Sequence, residues 1–466
     1  MIYKITAPSH IDTRINLPAS KSISNRALVL HALSGEDKLP ENLSDCDDTE
    51  VIVNALRTMP DVIDIKAAGT AMRFMTAYLS VTPGTHTLTG TERMRHRPIR
   101  ILVDALRSLG ARIDYAGEEG FPPLRITGGE LEGGTLTIPG NVSSQYISAL
   151  LMIGPAMRQG LTLWLTGEIV SRPYIDLTIH VMHEFGIDVE WTNVDTIHVA
   201  RQQYRQPPYM IENDWSASSY WYEILAMLDD RESKVVLPGL KDGSRQGDSA
   251  VRYLFSMLGV KTAFTTDGEV VLTRHNRTLP RMDYNFINQP DLAQTLVVTC
   301  IVLGLPFHFT GLGNLKIKET DRIEAMKVEM RKLGYVLDDS KDTELAWNGE
   351  RCEARDVPVI DTYEDHRMAM AFAPAAIRLG EIRINNPEVV SKSYPSYWDD
   401  LRSAGFTIEE ISQLQRPSAS LSCWLSMPQL AASSSALLVG YAAVMLRPLP
   451  PLATPSFANH RLSIIS

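Results

Sequence analysis

The chain has 466 residues, 44% hydrophobic and 21% charged, which is too long for one ordinary hydrophobic core and unremarkable for a globular protein. Its net charge of −10 excludes a general nucleic-acid or anionic-membrane surface, so any anion site must be a local basic cluster on an acidic body. The four cysteines, Cys46, Cys300, Cys352 and Cys423, are scattered without CxxC spacing. That is neither a disulfide framework nor a zinc site, and it fits a reducing cytosol.

The opening MIYKITAPSHIDTRINLPAS has no apolar run of the kind a signal peptide needs, so a cytoplasmic location is expected. From there the chain repeats itself. A small or charged start followed by an apolar helical run occurs six times: SKSISNRALVLHAL, GTAMRFMTAYLS, SSQYISALLMIG, SASSYWYEILAML, PDLAQTLVVTCIVLG and EDHRMAMAFAPAAIRLG. With Thr70, Ser144, Ala217, Asp291 and Asp365 as marks, the intervals are 74, 73, 74 and 74 residues. Second helices fit between them, including RPIRILVDALRSLG, PYIDLTIHVMHEFG, DSAVRYLFSMLG, TDRIEAMKVEMRKLG and SYPSYWDDLRSAGF. Each ends on a glycine (Gly110, Gly186, Gly259, Gly334, Gly405), as a left-handed C-cap requires. Short β-like runs follow, such as ARIDYA, IDVEWT and VKTAFTT.

The unit reads helix, strand, helix, strand, strand, repeated six times, and predicts a pseudo-symmetric α/β repeat protein. Only 46 residues separate Ser24 from Thr70, and LRTMPDVIDIKAAGT runs from a helix almost directly into the next unit. The first repeat is therefore truncated by about one β-hairpin. After Glu410 the composition changes: residues 411–466 hold no Asp or Glu, and only Arg416, Arg447 and Arg461 as fixed charges. Their longest apolar run, SALLVGYAAVML, is 12 residues, against the roughly 20 a membrane span needs. Residues 412–466 are expected to be a poorly ordered tail outside the repeats.

The helix starts carry the chemistry. Six helices with amphipathic bodies would bury those bodies and leave their N-termini to gather anion-seeking groups: Lys21, Ser22 and Arg26; Gly69, Thr70 and Arg73; Ser143, Ser144 and Gln145. Arg97, Ser171, Arg322, Arg367 and Lys392 start other helices. Free N–H groups and the helix dipole make each such end an anion site. In GNLKIKETDRIEAM the cations Lys318 and Arg322 stand where the dipole disfavours them, which points to a bound polyanion that neutralises them. Singly, each element has a plainer explanation. A Ser, Thr or Asp is a cap, an Arg is a solvated charge, and His366 is a structural hydrogen-bonder. His180 and His183 have no third ligand, so no metal is expected. The case for function rests on the set recurring in phase.

The stretches LPASKSISNRALVL, AGTAMR, RPI, GNVSSQYISALLM, SRPYID, NQPDLAQT, KETDRIEAM, YEDHRMAM and SKSYPSYWDDL, in this order, closely resemble the EPSP synthase family of the shikimate pathway, over about residues 1–411. The resemblance implies a two-lobed, inverse α/β barrel-like repeat fold with three repeats per lobe. Residues 1–19 plus 214–411 would form a lower lobe and residues 20–213 an upper one, with the active site between them. It implies an enolpyruvyl transferase acting on phosphoenolpyruvate and shikimate 3-phosphate, on the route to chorismate and the aromatic amino acids.

Carried over by position, the shikimate 3-phosphate site is Lys21, Ser22, Arg26, Ser143, Ser144, Gln145, Ser171, Asp291, Asn314 and Lys318. The phosphoenolpyruvate site is Lys21, Gly69, Arg73, Arg97, Gln145, Arg322, Arg367 and Lys392. Asp291 matches the base, Glu319 the acid, and Lys21 helps the departing phosphate. No cofactor or metal is implied, nor any nucleic-acid or membrane partner, and the chain is expected to act as a monomer. Ala67 stands where the family often has Asn, which removes one polar contact beside the phosphoenolpyruvate pocket.

Two other readings compete. The sister enzyme that acts on UDP-N-acetylglucosamine carries a catalytic Cys in the loop that here reads TERMRHRPIR, without one. A non-catalytic polyanion-binding homologue would only be weakened by Asp291 and Glu319.

Overall fold

The computed structural model describes residues 1–411 apart from Thr278, Asp339 and Ser340. The tail expected at 412–466 lies outside the described residues. The six unit-opening helices are α1 (Lys21–Ser34), α2 (Gly69–Val81), α3 (Ser144–Ile153), α4 (Trp215–Met227), α5 (Ala293–Val302) and α6 (His366–Phe372). Their bodies are not amphipathic as expected. Every residue of α3 from Tyr146 onward is buried, and in α4 every residue but Ser216 is. Helices that are apolar all round belong inside. Accordingly α1, α2 and α3 pack on one another, and α5 packs against both α4 and α6.

The second helices (Arg100–Ser108, Arg172–Glu184, Val251–Met257, Arg322–Lys332 and Tyr397–Ser403) each keep exposed positions and cover the outside. The five glycines that follow them all take positive φ, from 80° at Gly186 to 103° at Gly110. L side chains resist that conformation, so glycine fits there.

The sheets repeat one pattern with a strand the sequence reading lacked. Val62–Asp64 pairs in parallel with Gly84–Thr89, with Val62 opposite Thr87. Gly84–Thr89 then pairs antiparallel with Leu124–Gly128, which pairs with Arg112–Tyr115. Gly134–Pro139, Leu161–Thr166, Thr196–Val199 and Val189–Asn193 follow the same order. The unit is therefore strand, helix, strand, helix, strand, strand. Its leading strand is short and pairs only across a helix, so it leaves little local signature. The stretch LRTMPDVIDIKAAGT contains one, Val62–Asp64, and so does not run straight from helix to helix.

The truncation of the first repeat goes deeper than one hairpin. That unit has α1 and the helix Asp47–Thr58, but in place of a sheet it has two isolated bridges, Ala19 to Asn213 and Glu41 to Met210. At the other end, the last sheet borrows its inner strand from the chain's start. Ile2–Thr6 lies between Ile382–Asn385 and Thr407–Ile411, with Ile2 facing both Asn385 and Ile411.

Two hydrophobic clusters result, and they share no residue. The upper one runs from Ala19 to Ile211. The lower one takes Ile5, Ile11, Ile15 and Leu17 and then Trp215 to Phe406. The two passages between them lie side by side: Ser20 N–H donates to Glu212 O at 2.8 Å, and Asp214 N–H to Pro18 O at 2.9 Å.

Candidate active site

The starts of α1, α2 and α3 meet those of α5, α6 and Arg322–Lys332 around one cleft. Five of these are buried unit-opening helices and the sixth, Arg322–Lys332, is an outer one. Sixteen of the expected residues line the cleft: Lys21, Ser22, Arg26, Gly69, Arg73, Arg97, Ser143, Ser144, Gln145, Ser171, Asp291, Asn314, Lys318, Glu319, Arg322 and Arg367. Lys392 sits behind the wall. Its Nζ is 2.9 Å from Glu319 Oε1 and donates to Ala67 O at 3.1 Å. It does not start a helix as expected but ends the 3-10 turn Pro387–Lys392, and Arg97 precedes its helix by three residues.

Mostly neutral groups hold the upper wall. Arg26 donates to Thr178 Oγ1 at 2.7 Å, Ser22 O at 2.8 Å, Tyr174 O at 3.1 Å and Ser148 Oγ at 3.2 Å. Arg73 donates to Gly69 O at 3.0 Å and Pro98 O at 3.4 Å. Burial pushes both guanidinium groups down to about 10, with Arg97 adding to the effect on Arg73. The Nε atoms of Arg73 and Arg97 are buried and have no hydrogen-bond partner among the described residues. A Cβ at Gly69 would lie 2.6 Å from Arg97 Nη1, so a side chain there would displace the guanidinium. Ser143 Oγ caps α3 by accepting from Gln145 N–H at 3.3 Å, and Gln145 Nε2 donates to Thr70 Oγ1 at 3.0 Å. Lys21 is this wall's exception. Burial opposes its charge, but Asp48, with an oxygen 3.1 Å from Nζ, together with Cys46 and Glu319 outweighs burial and holds it above the ordinary lysine range.

The lower wall carries its own counter-ions. Arg322 is 1% exposed and holds three carboxylates: Asp365 at 2.6 and 3.2 Å, Glu319 at 2.9 Å and Asp291 at 3.2 Å. Arg367 reaches the other oxygen of Asp291 at 2.9 Å, and Lys318 lies 3.8 Å from Asp291. This offsets the unfavourable dipole at Arg322. Burial raises the pKa of Asp291, but Arg367, Lys318 and Arg322 prevail and hold it well below the usual carboxylate range. Burial likewise raises Glu319, and Lys392, Arg322 and Arg97 together pull it well below. Burial lowers Lys318 below its ordinary value.

Sequence reasoning missed several groups. Asp48 and Tyr174 line the cleft, and so does His366. His366 is not the structural hydrogen-bonder expected, because both its ring nitrogens are buried without a hydrogen-bond partner among the described residues. Burial, Lys21 and Arg367 keep it neutral, far below the usual histidine value. Tyr174 stands one helical turn after Ser171, a spacing that could have found it. Its hydroxyl donates to both oxygens of Asp248 at 3.3 Å, and Ser216 Oγ donates to the same carboxylate. His183, read as an unlikely metal ligand, bonds the Val189 carbonyl at 2.7 Å.

Among the described residues no helix is long and apolar enough to cross a membrane. The family model for EPSP synthase (3-phosphoshikimate 1-carboxyvinyltransferase) matches residues 5–61 and 57–401. A 3-phosphoshikimate 1-carboxyvinyltransferase of Bacteroides fragilis is 60% identical over 409 residues, 88% of this chain and 99% of that protein. One of Vibrio cholerae is 36% identical over 417 residues, 84% and 96% of the two chains. The solved EPSP synthase of Acinetobacter baumannii superposes with a TM-score of 0.70 at 21% identity, over 88% of this chain and 100% of that one.

Proposed function

The chain belongs to the EPSP synthase family, 3-phosphoshikimate 1-carboxyvinyltransferases of the shikimate pathway to chorismate and the aromatic amino acids, and from that premise we propose how its cleft performs the transfer. The two hydrophobic cores support two lobes, residues 20–213 above and residues 1–19 plus 214–411 below, with Ala19 at the crossing packed in the upper core. Two polyanionic substrates neutralise the facing cations and draw the lobes together.

Shikimate 3-phosphate lies against Lys21, Ser22, Arg26, Ser143, Ser144, Gln145, Ser171, Asp291, Asn314 and Lys318. Its phosphate meets hydroxyls that bind without adding charge. Phosphoenolpyruvate lies against Lys21, Gly69, Arg73, Arg97, Gln145, Arg322, Arg367 and Lys392, where the guanidinium forks match carboxylate and phosphate.

Asp291 takes the proton of the 5-hydroxyl as that oxygen bonds to C2 of phosphoenolpyruvate, and Glu319 gives a proton to C3. The tetrahedral adduct then returns the C3 proton to Glu319 and expels phosphate, which Lys21 helps to protonate. The cations keep Asp291 ionised, as a base must be, and substrate anions that neutralise them restore its basicity. The acid role requires a change, because the same kind of neighbours keep Glu319 ionised in the empty cleft. Substrate anions that neutralise Lys392, Arg322 and Arg97 return the proton to Glu319, so the acid is assembled only when substrate is bound.

One observation carries this reading: Arg322 grips Asp291 and Glu319 together, at 3.2 and 2.9 Å, inside a cation-lined cleft. A protein that only binds anions loses by burying carboxylates there. The scheme calls for no metal or organic cofactor. Both walls come from one chain, which suits a monomer, and we place it in the cytoplasm. The test is phosphate release from phosphoenolpyruvate. Release with shikimate 3-phosphate is expected. Release only with UDP-N-acetylglucosamine would contradict the substrate, and release with neither would contradict the activity.

A further inference from the structure

Two consecutive residues just before α6, Tyr363 and Glu364, take φ of 54° and 58°, a left-handed pair without glycine. Such backbone is strained for L residues and persists only where its surroundings hold it. The next residue is Asp365. It caps α6 by accepting from Arg367 N–H at 3.0 Å, and it receives Arg322 Nε at 2.6 Å. The strained turn therefore sets the position of the group that orients Arg322, and it sets where the helix carrying Arg367 begins.

The holding group is Glu329, which lies outside the cleft. It stands seven residues after Arg322 on the same helix, about two turns along. It is 0% exposed, and both its oxygens are used on the turn. Tyr363 OH donates to Oε1 at 2.5 Å, and Asp361 N–H donates to Oε2 at 3.0 Å. Lys332, 6% exposed, supplies the counter-charge at 2.7 Å from Glu329 and 2.8 Å from Asp361. Helix and turn are thus joined twice, by Arg322 to Asp365 at the cleft and by Glu329 to Tyr363 and Asp361 two turns away.

The plainer account is a buried ion pair that only stabilises the core. Buried pairs are poor stabilisers compared with apolar side chains of equal size. Here, moreover, the carboxylate bonds Tyr363, the first strained residue, and Asp361 two residues before it, rather than its own helix alone.

We propose that Glu329 is a positioning residue for the phosphoenolpyruvate end of the site, acting through Tyr363 and the 361–365 turn on Arg322 and Arg367. This rests on the function proposed above. The experiment first measures turnover of the parent, whose failure would count against that function alone. It then compares Tyr363→Phe, which keeps the ring and loses one bond, with Glu329→Gln.

Both variants should raise KM for phosphoenolpyruvate roughly tenfold or more, the loss that a hydrogen bond to a charged group implies. Shikimate 3-phosphate, titrated alone by calorimetry, should bind as tightly as to the parent. Amide exchange in a peptide covering 359–368 should quicken while the melting temperature of Tyr363→Phe stays within a few degrees. Unchanged KM and exchange would overturn the proposal. So would equal weakening of both substrates, or a lowered melting temperature with intact kinetics, because a merely structural ion pair produces those results.

Discussion

The two walls of the cleft hold similar numbers of cations in opposite ways. In the upper wall Arg26 and Arg73 rest on carbonyls and hydroxyls, and burial pushes them down to about 10. In the lower wall Arg322 and Arg367 sit against carboxylates that outweigh burial and hold them above the ordinary arginine value. The upper wall is short of negative charge and gains by receiving an anion. The lower wall sets carboxylates against its cations, Asp365 together with Asp291 and Glu319, the two we propose as base and acid. The walls thus differ in how they hold their cations, the upper mostly on neutral groups and the lower on carboxylates.

The largest expected effect lies in the lower wall. Asp291→Asn should cut turnover by roughly 10²-fold or more, as loss of a general base does, with phosphoenolpyruvate binding kept or tightened. Turnover within a few-fold of the parent would remove Asp291 from the base role. Next comes the upper wall: Arg26→Gln should weaken shikimate 3-phosphate by roughly tenfold or more, read by calorimetry, and leave phosphoenolpyruvate alone. If both ligands weaken together, Arg26 does not serve the shikimate 3-phosphate site alone.

The lower wall also predicts an acid limit. The pKa values of Asp291 and Glu319 lie below their unfolded ones, so their stabilisation is present above the ordinary carboxylate value, about 4, and disappears as pH falls through the folded values. The melting temperature should fall below about pH 4, less steeply in Asp291→Asn.

Asp248 predicts the opposite sign and the smallest effect. Burial first, and then Asp291, push it up to about 6. Its contribution is therefore present below about pH 4 and lost as pH rises through that folded value. Asp248→Asn should melt about 2 °C above the parent at pH 8, and the gain should vanish at pH 4. A gain that does not depend on pH would show that Asp248 is uncharged throughout.

Much of this was legible in the sequence because it is local. A glycine at a helix end and a polar start before an apolar run are read within one helix. The five C-cap glycines and the starts of α1, α2 and Arg322–Lys332 accordingly lie where the pattern puts them. What was not legible is long-range. Val62–Asp64 is a strand only because Gly84–Thr89 lies beside it, and Ile2–Thr6 completes a sheet with residues about 400 positions away. The site residues followed from a family resemblance, but their counter-charges did not. Nothing near Lys21 announces Asp48, nothing near Arg322 announces Asp365, and the partner of Lys392 is 73 positions earlier at Glu319.

The central claim is that Glu319, ionised in the empty cleft, becomes the carbon acid once substrates neutralise its neighbours. Its most direct test is deuterium entering the methylene group in heavy water with both substrates present. The parent should incorporate it through reversible addition. Glu319→Gln, which keeps the shape and removes one negative charge, should bind both anions as well or better and lose incorporation by roughly 10²-fold or more. Incorporation at the parent's rate would show that Glu319 is only a counter-charge to Arg322 and Lys392, and that another group protonates the carbon.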